Sequence, residues 1–148
     1  MTKIEIIFTD PRAEDLHPPQ YATVGSAGMD LRALEHTVIH PGETMPFAMG
    51  YRIYIGDHTL CGMIMPRSGL GIKGILPANV LGLIDSDYQG ELIVHLKNHG
   101  DENFIVESGD RIAQLVIMPV ESVYFSIVSE FKHSTDRGEG GFGSTGES

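Results

Sequence analysis

Hydrophobic and polar residues alternate along most of this chain, in short stretches separated by glycine and proline. A period of two places successive side chains on opposite faces of an extended backbone, which is typical of a half-buried β-strand. Blocks of β-branched residues within the same stretches favour the same structure. The stretches predicted to be strands are 4–8, 29–31, 37–39, 44–49, 51–55, 60–65, 83–84, 91–97, 103–106, 112–118 and 123–131.

Turn sequences such as Pro41-Gly42 and Ser108-Gly109 recur between these strands, as they do in sandwiches and barrels. Residues 83–91 are predicted to form a hairpin. Only residues 68–73 are predicted to form a short helix, with a helical turn at 31–35 as an alternative to the strand there. We therefore expect an all-β sandwich or barrel with one short helix.

Composition narrows the kinds of partner that this domain can have. The chain has 148 residues, enough for one core, and its 18 glycines and 8 prolines leave no room for long helices. Ten Lys and Arg against 20 Asp and Glu give a charge of −10, which argues against binding duplex nucleic acid or an anionic membrane. The single cysteine, Cys61, forms no internal disulfide, so the cytoplasm is the expected location.

Two segments combine glycine with groups that bind anions. Arg137, Phe142 and Ser144 lie among five glycines near the C-terminus, and such a segment is either a disordered end or a backbone cradle for phosphate. Arg67 and Ser68 follow Pro66 at the start of the predicted helix. They form either an anion site or a capped turn with a surface ion pair.

Two further segments place polar groups inside apolar sequence. Asp85 and Asp87 lie in the predicted hairpin, where Asp87 can serve the turn itself, whereas Asp85 directly follows two apolar residues. Arg111 and Gln114 are three positions apart in a predicted strand, so we expect them on opposite faces. Arg111 is either a ligand contact or a structural salt bridge. No histidine pattern indicates a zinc site, and Cys61 lies in an apolar run typical of core packing.

With Ala-Gly-Met-Asp-Leu-Arg-Ala at 27–33, these segments resemble the five ordered motifs of the trimeric dUTPases, the deoxyuridine triphosphate nucleotidohydrolases. The resemblance is most specific in Gly-Leu-Ile-Asp-Ser-Asp-Tyr-Gln-Gly at 82–90 and Arg-Gly-Glu-Gly-Gly-Phe-Gly-Ser at 137–144. It covers almost the whole chain. One departure is the segment 72–79, which is one residue shorter than the family pattern.

The resemblance implies a jelly-roll-like homotrimer with three active sites at subunit interfaces. Residues 1–136 would form the β-barrel domain, and residues 137–148 a flexible arm that closes the site. The implied reaction is hydrolysis of dUTP to dUMP and pyrophosphate with Mg²⁺, which keeps dUTP out of DNA and supplies dUMP for thymidylate synthesis. By the same resemblance Asp85 is the general base, and Asp30 contacts Mg²⁺ through water.

The remaining site residues are also assigned by resemblance. The groups expected to hold the phosphates are Arg67, Ser68, Gly69, Gln114, Arg137, Gly143 and Ser144. The groups expected to bind uracil are the backbone of Leu83, Ile84 and Asp85, the strand near Ile93, the Asn79 amide and the stacking ring of Phe142. Tyr88 is expected to lie under the deoxyribose and to leave no room for a 2′-hydroxyl.

Other functions remain open at this point. A dCTP deaminase would share the fold and the Arg-Ser turn, but it is expected to lack the Asp-x-Asp-Tyr segment in this form. A nucleotide-sensing protein could signal through an opening and closing arm to a regulatory partner. A structural β-sandwich subunit would leave the arginines, the aromatic residue and the glycines without a purpose.

Overall fold

Ten strands and two short helices make up the regular structure of the computed structural model, which describes residues 2–16 and 18–141. The strands are β1 (Glu5–Phe8), β2 (Met29–Arg32), β3 (Thr37–Ile39), β4 (Thr44–Tyr54), β5 (Leu60–Met65), β6 (Ile75–Pro77), β7 (Gly82–Ile84), β8 (Glu91–Asn98), β9 (Phe104–Val106) and β10 (Arg111–Pro119). The helices are α1 (Pro11–Asp15) and α2 (Ser68–Gly71). Over these residues no helix is long and apolar enough to cross a membrane.

The strands form three antiparallel sheets, in the orders β1-β4-β8-β6, β2-β10-β5-β7 and β3-β9. Alternation along β8 buries Leu92, Val94 and Leu96 and leaves Ile93 and His95 exposed. All three sheets contribute to one core, whose fully buried side chains include Leu31, Ile39, Met49, Ile75, Leu92, Leu96, Val106 and Ile112. The prediction of an all-β fold with little helix is confirmed.

The strands predicted at 44–49 and 51–55 are one continuous strand, β4, with an irregularity at Gly50. The pairing register with β8 shifts between Ala48 and Arg52, and Gly50 has φ of +70°. A Cβ at Gly50 would lie 2.8 Å from Ala13 of helix α1 and 2.8 Å from Leu34. Glycine at this position therefore bends the strand and lets α1 pack directly on its backbone.

The hairpin predicted at 83–91 is wrong, because its two strands belong to different sheets. Strand β7 pairs with β5, whereas β8 pairs with β4 and β6. The connection between them is a turn in which the Tyr88 N–H donates to the Asp85 carbonyl at 3.2 Å. The chain thus crosses from one sheet to the other at this turn, and β7 and β8 diverge from it.

The strand predicted at 123–131 is also wrong, since no described residue there pairs in a sheet. Its apolar side chains lie in solvent, with Tyr124 91%, Phe125 94% and Ile127 100% exposed. The alternating sequence suits a strand, but within this chain it has no partner strand to pair with. The helix predicted at 68–73 ends at Gly71, and the alternative helical turn at 31–35 does not form, because β2 runs through Arg32.

Candidate active site

Asp30 lies between two arginines that the sequence separates widely. One of its carboxylate oxygens is 3.2 Å from Nε of Arg67, and the other is 3.5 Å from Nη1 of Arg111. The Arg67 guanidinium also donates to the backbone carbonyl of Arg111 at 3.2 Å. All three side chains are partly exposed. The structure therefore holds two guanidinium groups side by side, with one carboxylate offsetting part of their charge.

A bulge in β10 is what turns Arg111 towards Asp30. Arg111 is opposite Arg32 and Ala113 is opposite Leu31, so one extra residue, Ile112, is inserted in β10. Bulges of this kind re-aim a side chain next to the irregularity. The expectation that Arg111 and Gln114 lie on opposite faces is therefore wrong: because of the bulge both face the side of Asp30.

Gln114 adds an amide to the same face of the second sheet. It is the register partner of Asp30 on one side and of Met65 on the other, and its Nε2 donates to the Pro66 carbonyl at 3.0 Å. A Cβ at Gly28 would lie 2.9 Å from the Gln114 side-chain oxygen. Glycine at that position therefore leaves room for the amide.

Helix α2 presents Ser68 and Gly69 beside this cluster. Arg67 is its N-cap residue, and the N–H groups of Leu70 and Gly71 donate to the Arg67 carbonyl at 3.0 and 2.9 Å. Ser68 and Gly69 are exposed, and a Cβ at Gly69 would meet no atom within 4 Å. The backbone around Gly69 is thus open to a ligand.

The turn after β7 carries Asp85 and Tyr88, both exposed in this chain. The Tyr88 hydroxyl donates to the Glu91 carbonyl at 3.0 Å, which lays the ring across the backbone of Gly90. A Cβ at Gly90 would overlap the hydroxyl and lie 2.5 Å from Cζ of that ring. Gly90 therefore permits the observed position of Tyr88.

Asp85 and the arginines line different clefts. Asp85 and Leu83 lie in an open cleft of about 620 Å³ with Cys61 on its wall, whereas Arg67 and Arg111 line another cleft of about 330 Å³. Arg67 does not line the cleft of Asp85, and Asp85 does not line the cleft of the arginines. A single chain thus presents two halves of the predicted site separately.

Asn79 is exposed in a tight turn that the sequence did not predict. The Leu81 N–H donates to the Asn79 carbonyl at 2.6 Å, and Val80 between them has φ of +63°. This is a classic γ-turn, which is rare and strained for a β-branched residue. The turn begins at the last residue of the segment 72–79, in which Gly74 has φ of +75°.

The five remaining site predictions have different outcomes. Ile93 lies on β8 opposite Ala48 and is half exposed. Arg137 is exposed and donates from Nε to the Gly140 carbonyl at 2.9 Å, so in this chain it contacts only its own segment in the interactions described. The predictions for Phe142, Gly143 and Ser144 lie outside the described residues.

A metal ion would find few protein ligands here. Within residues 2–16 and 18–141, no three His, Cys, Asp or Glu side chains converge on one point. Asp30 is the carboxylate beside the arginines, and both of its oxygens face guanidinium groups. This donor set fits an Mg²⁺ ion that is held mainly by phosphate and water, which Mg²⁺ retains readily, with one carboxylate near its outer shell.

Comparison with known proteins accounts for the arrangement of these segments. The family model described as dUTPase matches residues 14–146. The deoxyuridine 5'-triphosphate nucleotidohydrolases of Histophilus somni (strain 2336) and Idiomarina loihiensis are 54% and 53% identical to this chain. The alignments cover 99% of both chains in the first case and 100% of both in the second.

A solved structure shows the same fold in a more distant relative. The Staphylococcus bacteriophage 80alpha dUTPase with dUPNHPP superimposes with a TM-score of 0.84 at 26% identity, over 99% of this chain and 100% of the phage chain. The jelly-roll-like architecture expected from the sequence is thereby confirmed. On the extent of the family match and the identity of these relatives, the chain belongs to the dUTPase family.

Proposed function

We propose that this chain hydrolyses dUTP to dUMP and pyrophosphate, which removes dUTP from the pool available to DNA synthesis and supplies dUMP. The observation that carries the proposal is the pair of guanidinium groups fixed on Asp30, within a chain that matches the dUTPase family over residues 14–146. Guanidinium groups at a fixed spacing bind phosphate oxygens strongly and with defined geometry.

Asp85 is the general base in this proposal. It deprotonates the water that attacks the α-phosphorus, in line with the departing pyrophosphate. Its exposure in the open cleft beside Leu83 supports this role, because a water and a nucleotide can both reach the carboxylate.

The phosphate chain is held by positive charge and by backbone N–H groups. Arg67, Gln114 and the segment at Ser68 and Gly69 lie together and support binding of the β- and γ-phosphates. Arg111, which shares Asp30 with Arg67, belongs to the same set. Mg²⁺ would neutralise phosphate charge, with Asp30 contacting it through water.

Base selection would use backbone groups of the diverging strands. Strand β7 pairs with β5, and residues 91–94 of β8 pair with β4. Neither segment has a second neighbour strand in the described part of the chain. Their outer edges, at Leu83, Ile84 and Ile93, therefore support pairing with a planar base, together with the N–H of Asp85, whose carbonyl already accepts the Tyr88 N–H. Cytosine presents a donor where uracil presents an acceptor, so it would leave a buried group unpaired.

Asn79 and Tyr88 complete the nucleoside part of the proposal. The Asn79 side-chain nitrogen lies 3.6 Å from the Cβ position of Gly82 at the start of β7, so its amide can pair with the uracil edge. The Tyr88 ring, held over Gly90, would lie under the deoxyribose and exclude a 2′-hydroxyl.

We further propose that the active enzyme is a homotrimer. The separate clefts of Asp85 and Arg67 and the exposed apolar segment 123–131 both support sites that are completed between copies. The measurement is the mass in solution, which should equal three chains. In this assembly residues 1–136 form the barrel domain, and residues 137–148 form an arm. The arm brings Arg137, Phe142, Gly143 and Ser144 over the nucleotide. The proposed location of the enzyme is the cytoplasm.

A pyrophosphate-release assay with dUTP, UTP, dCTP and dTTP, with and without Mg²⁺, tests the proposal. We expect turnover of dUTP alone, dependent on Mg²⁺. Asp85→Asn should remove it while the fold is retained, and Asp87→Asn, a matched change in the same turn, should not. Ammonia release from dCTP would instead indicate a deaminase, and binding of dUTP without turnover would indicate a sensor.

A further inference from the structure

The cleft beside the paired arginines contains a third cation. It lies between α2 with its following turn and the region around β9 and the start of β10, and it has a volume of about 330 Å³. Arg67, Arg111 and Lys73 all line it. The volume is at the lower end of the range for sites that bind small molecules. The cleft therefore has the size and the charge for a small anion.

Lys73 lies on the wall of this cleft, with its side chain exposed beside an aromatic ring. Its backbone N–H donates to the Leu70 carbonyl at 2.9 Å, and its ammonium group lies 6.0 Å from the centroid of the Phe104 ring. A cation near an aromatic ring is attracted by the negative face of the ring, at this distance only weakly. Phe104 is itself a wall of the cleft, so the ammonium group lies beside the open volume.

The charge of the cleft is unusual for this protein. Three of its ten Lys and Arg residues line this one cleft, although the whole chain carries −10. Asp110 is also on the wall, and its carboxylate keeps its charge although it accepts the Glu107 N–H at 2.9 Å. Asp30 and Asp110 together offset two of the three positive charges. The one positive charge that remains favours an anion over a neutral ligand.

We propose that this cleft is a subsite for the pyrophosphate leaving group, with Lys73 as its outer cation. The proposal rests on the dUTP hydrolysis proposed above. While the β-phosphate is bonded to the nucleotide, the phosphate chain is tethered at the nucleoside. Once that bond breaks, free pyrophosphate carries additional negative charge and can move from Arg67 and Arg111 towards Lys73.

The test compares Lys73→Gln with Lys3→Gln, which removes the same charge from an exposed site paired only with Glu5 in the described contacts. Inorganic pyrophosphate with Mg²⁺ is the probe, as an inhibitor of dUTP turnover at constant ionic strength. We expect its inhibition constant to rise about fivefold in Lys73→Gln, as suits one exposed charge. KM for dUTP should change less than about twofold. Lys73→Arg should retain wild-type inhibition, and added salt should reduce the difference.

Two results would overturn the subsite. One is an inhibition constant equal to that of Lys3→Gln. The other is a KM for dUTP that rises as much as the inhibition constant, since Lys73 would then serve the substrate and not the product. Failure of the proposed dUTP hydrolysis can be distinguished from failure of the subsite. In the first case wild-type protein would release no pyrophosphate from dUTP, but calorimetry could still measure pyrophosphate binding to both variants.

Discussion

Asp30 contacts both arginines of the proposed phosphate site, and in the proposed reaction it also contacts Mg²⁺ through water. The sequence predicted only the contact with Mg²⁺, through the family resemblance. A strand residue that binds two guanidinium groups from distant segments cannot be identified before the sheet register and the bulge at Ile112 are known.

We expect Asp30→Asn to lower kcat/KM by about 100-fold, because the arginines lose the group that fixes their position. The Mg²⁺ concentration for half-maximal activity should rise only modestly, because Asp30 is proposed to contact the ion through water alone, and the loss should persist at saturating Mg²⁺. Asp101→Asn, an exposed carboxylate in a turn, is the control. If saturating Mg²⁺ restored the variant, contact with the metal water and not arginine positioning would explain the loss.

Gly90 leaves the space that the end of the Tyr88 ring occupies. In Gly90→Ala the new methyl group overlaps the far end of the ring, which can rotate away, so the protein should fold with Tyr88 displaced. The ratio of kcat/KM for UTP to that for dUTP should then rise by about tenfold. Gly25→Ala, where a Cβ meets no atom within 4 Å, is the matched control. An unchanged ratio would argue against Tyr88 as the group that excludes the 2′-hydroxyl.

Asp57 makes a pH-dependent contribution to stability. The Thr59 hydroxyl and backbone N–H donate to its carboxylate, at 2.7 and 2.9 Å, and lower its pKa. A lowered pKa in the folded state stabilises above the unfolded value of about 3.9, and this contribution is lost as the pH falls through the folded pKa. The difference in Tm between wild type and Asp57→Asn should therefore shrink from pH 6 to pH 3. A constant difference would contradict this.

At the scale of elements, Gly50 joins β4 to helix α1. In Gly50→Ala the residue must adopt φ of +70° and the methyl group meets Ala13 and Leu34, so we expect a loss of about 2–4 kcal/mol in the free energy of unfolding. Gly42→Ala separates the two causes, since Gly42 has φ of +77° and open space around it. That variant should lose only about 1 kcal/mol in chemical denaturation. Equal losses in the two variants would mean that the contact of the methyl group with α1 does not contribute to the loss of stability in Gly50→Ala.

The elements that were not predicted from the sequence differ in the strength of their sequence signals. Helix α1 begins with Asp10 as N-cap and Pro11 in its first turn, a recognisable start signal that the prediction did not use. Strand β6 consists of Ile-Leu-Pro, which is too short and proline-containing to distinguish from a turn. The γ-turn at Val80 leaves no signal at all, because valine normally avoids positive φ.

At the scale of the whole molecule, the sequence predicted the all-β fold, but it could not predict how the candidate site residues lie relative to one another. Asp30, Arg67 and Gln114 come together because β2, β5 and β10 are neighbours in one sheet, which no local pattern encodes. The pairing of β7 and β8 with different partners depends on the same long-range order. Segment 123–131 has the alternating apolar and polar residues of a strand, but a strand forms only where a neighbouring strand can pair with it, and the described part of the chain supplies none.

Because Asp85 and Arg67 line different clefts, we expect two inactive variants to restore activity when they assemble together. If each site takes its base from one copy and its arginine from another, Asp85→Asn and Arg67→Ala chains should each be inactive alone. Refolded together in equal amounts, they should regain about one quarter of wild-type dUTP turnover by random assortment within closed assemblies. No recovery in mixed assemblies, verified by mass, would mean that each copy builds its site alone.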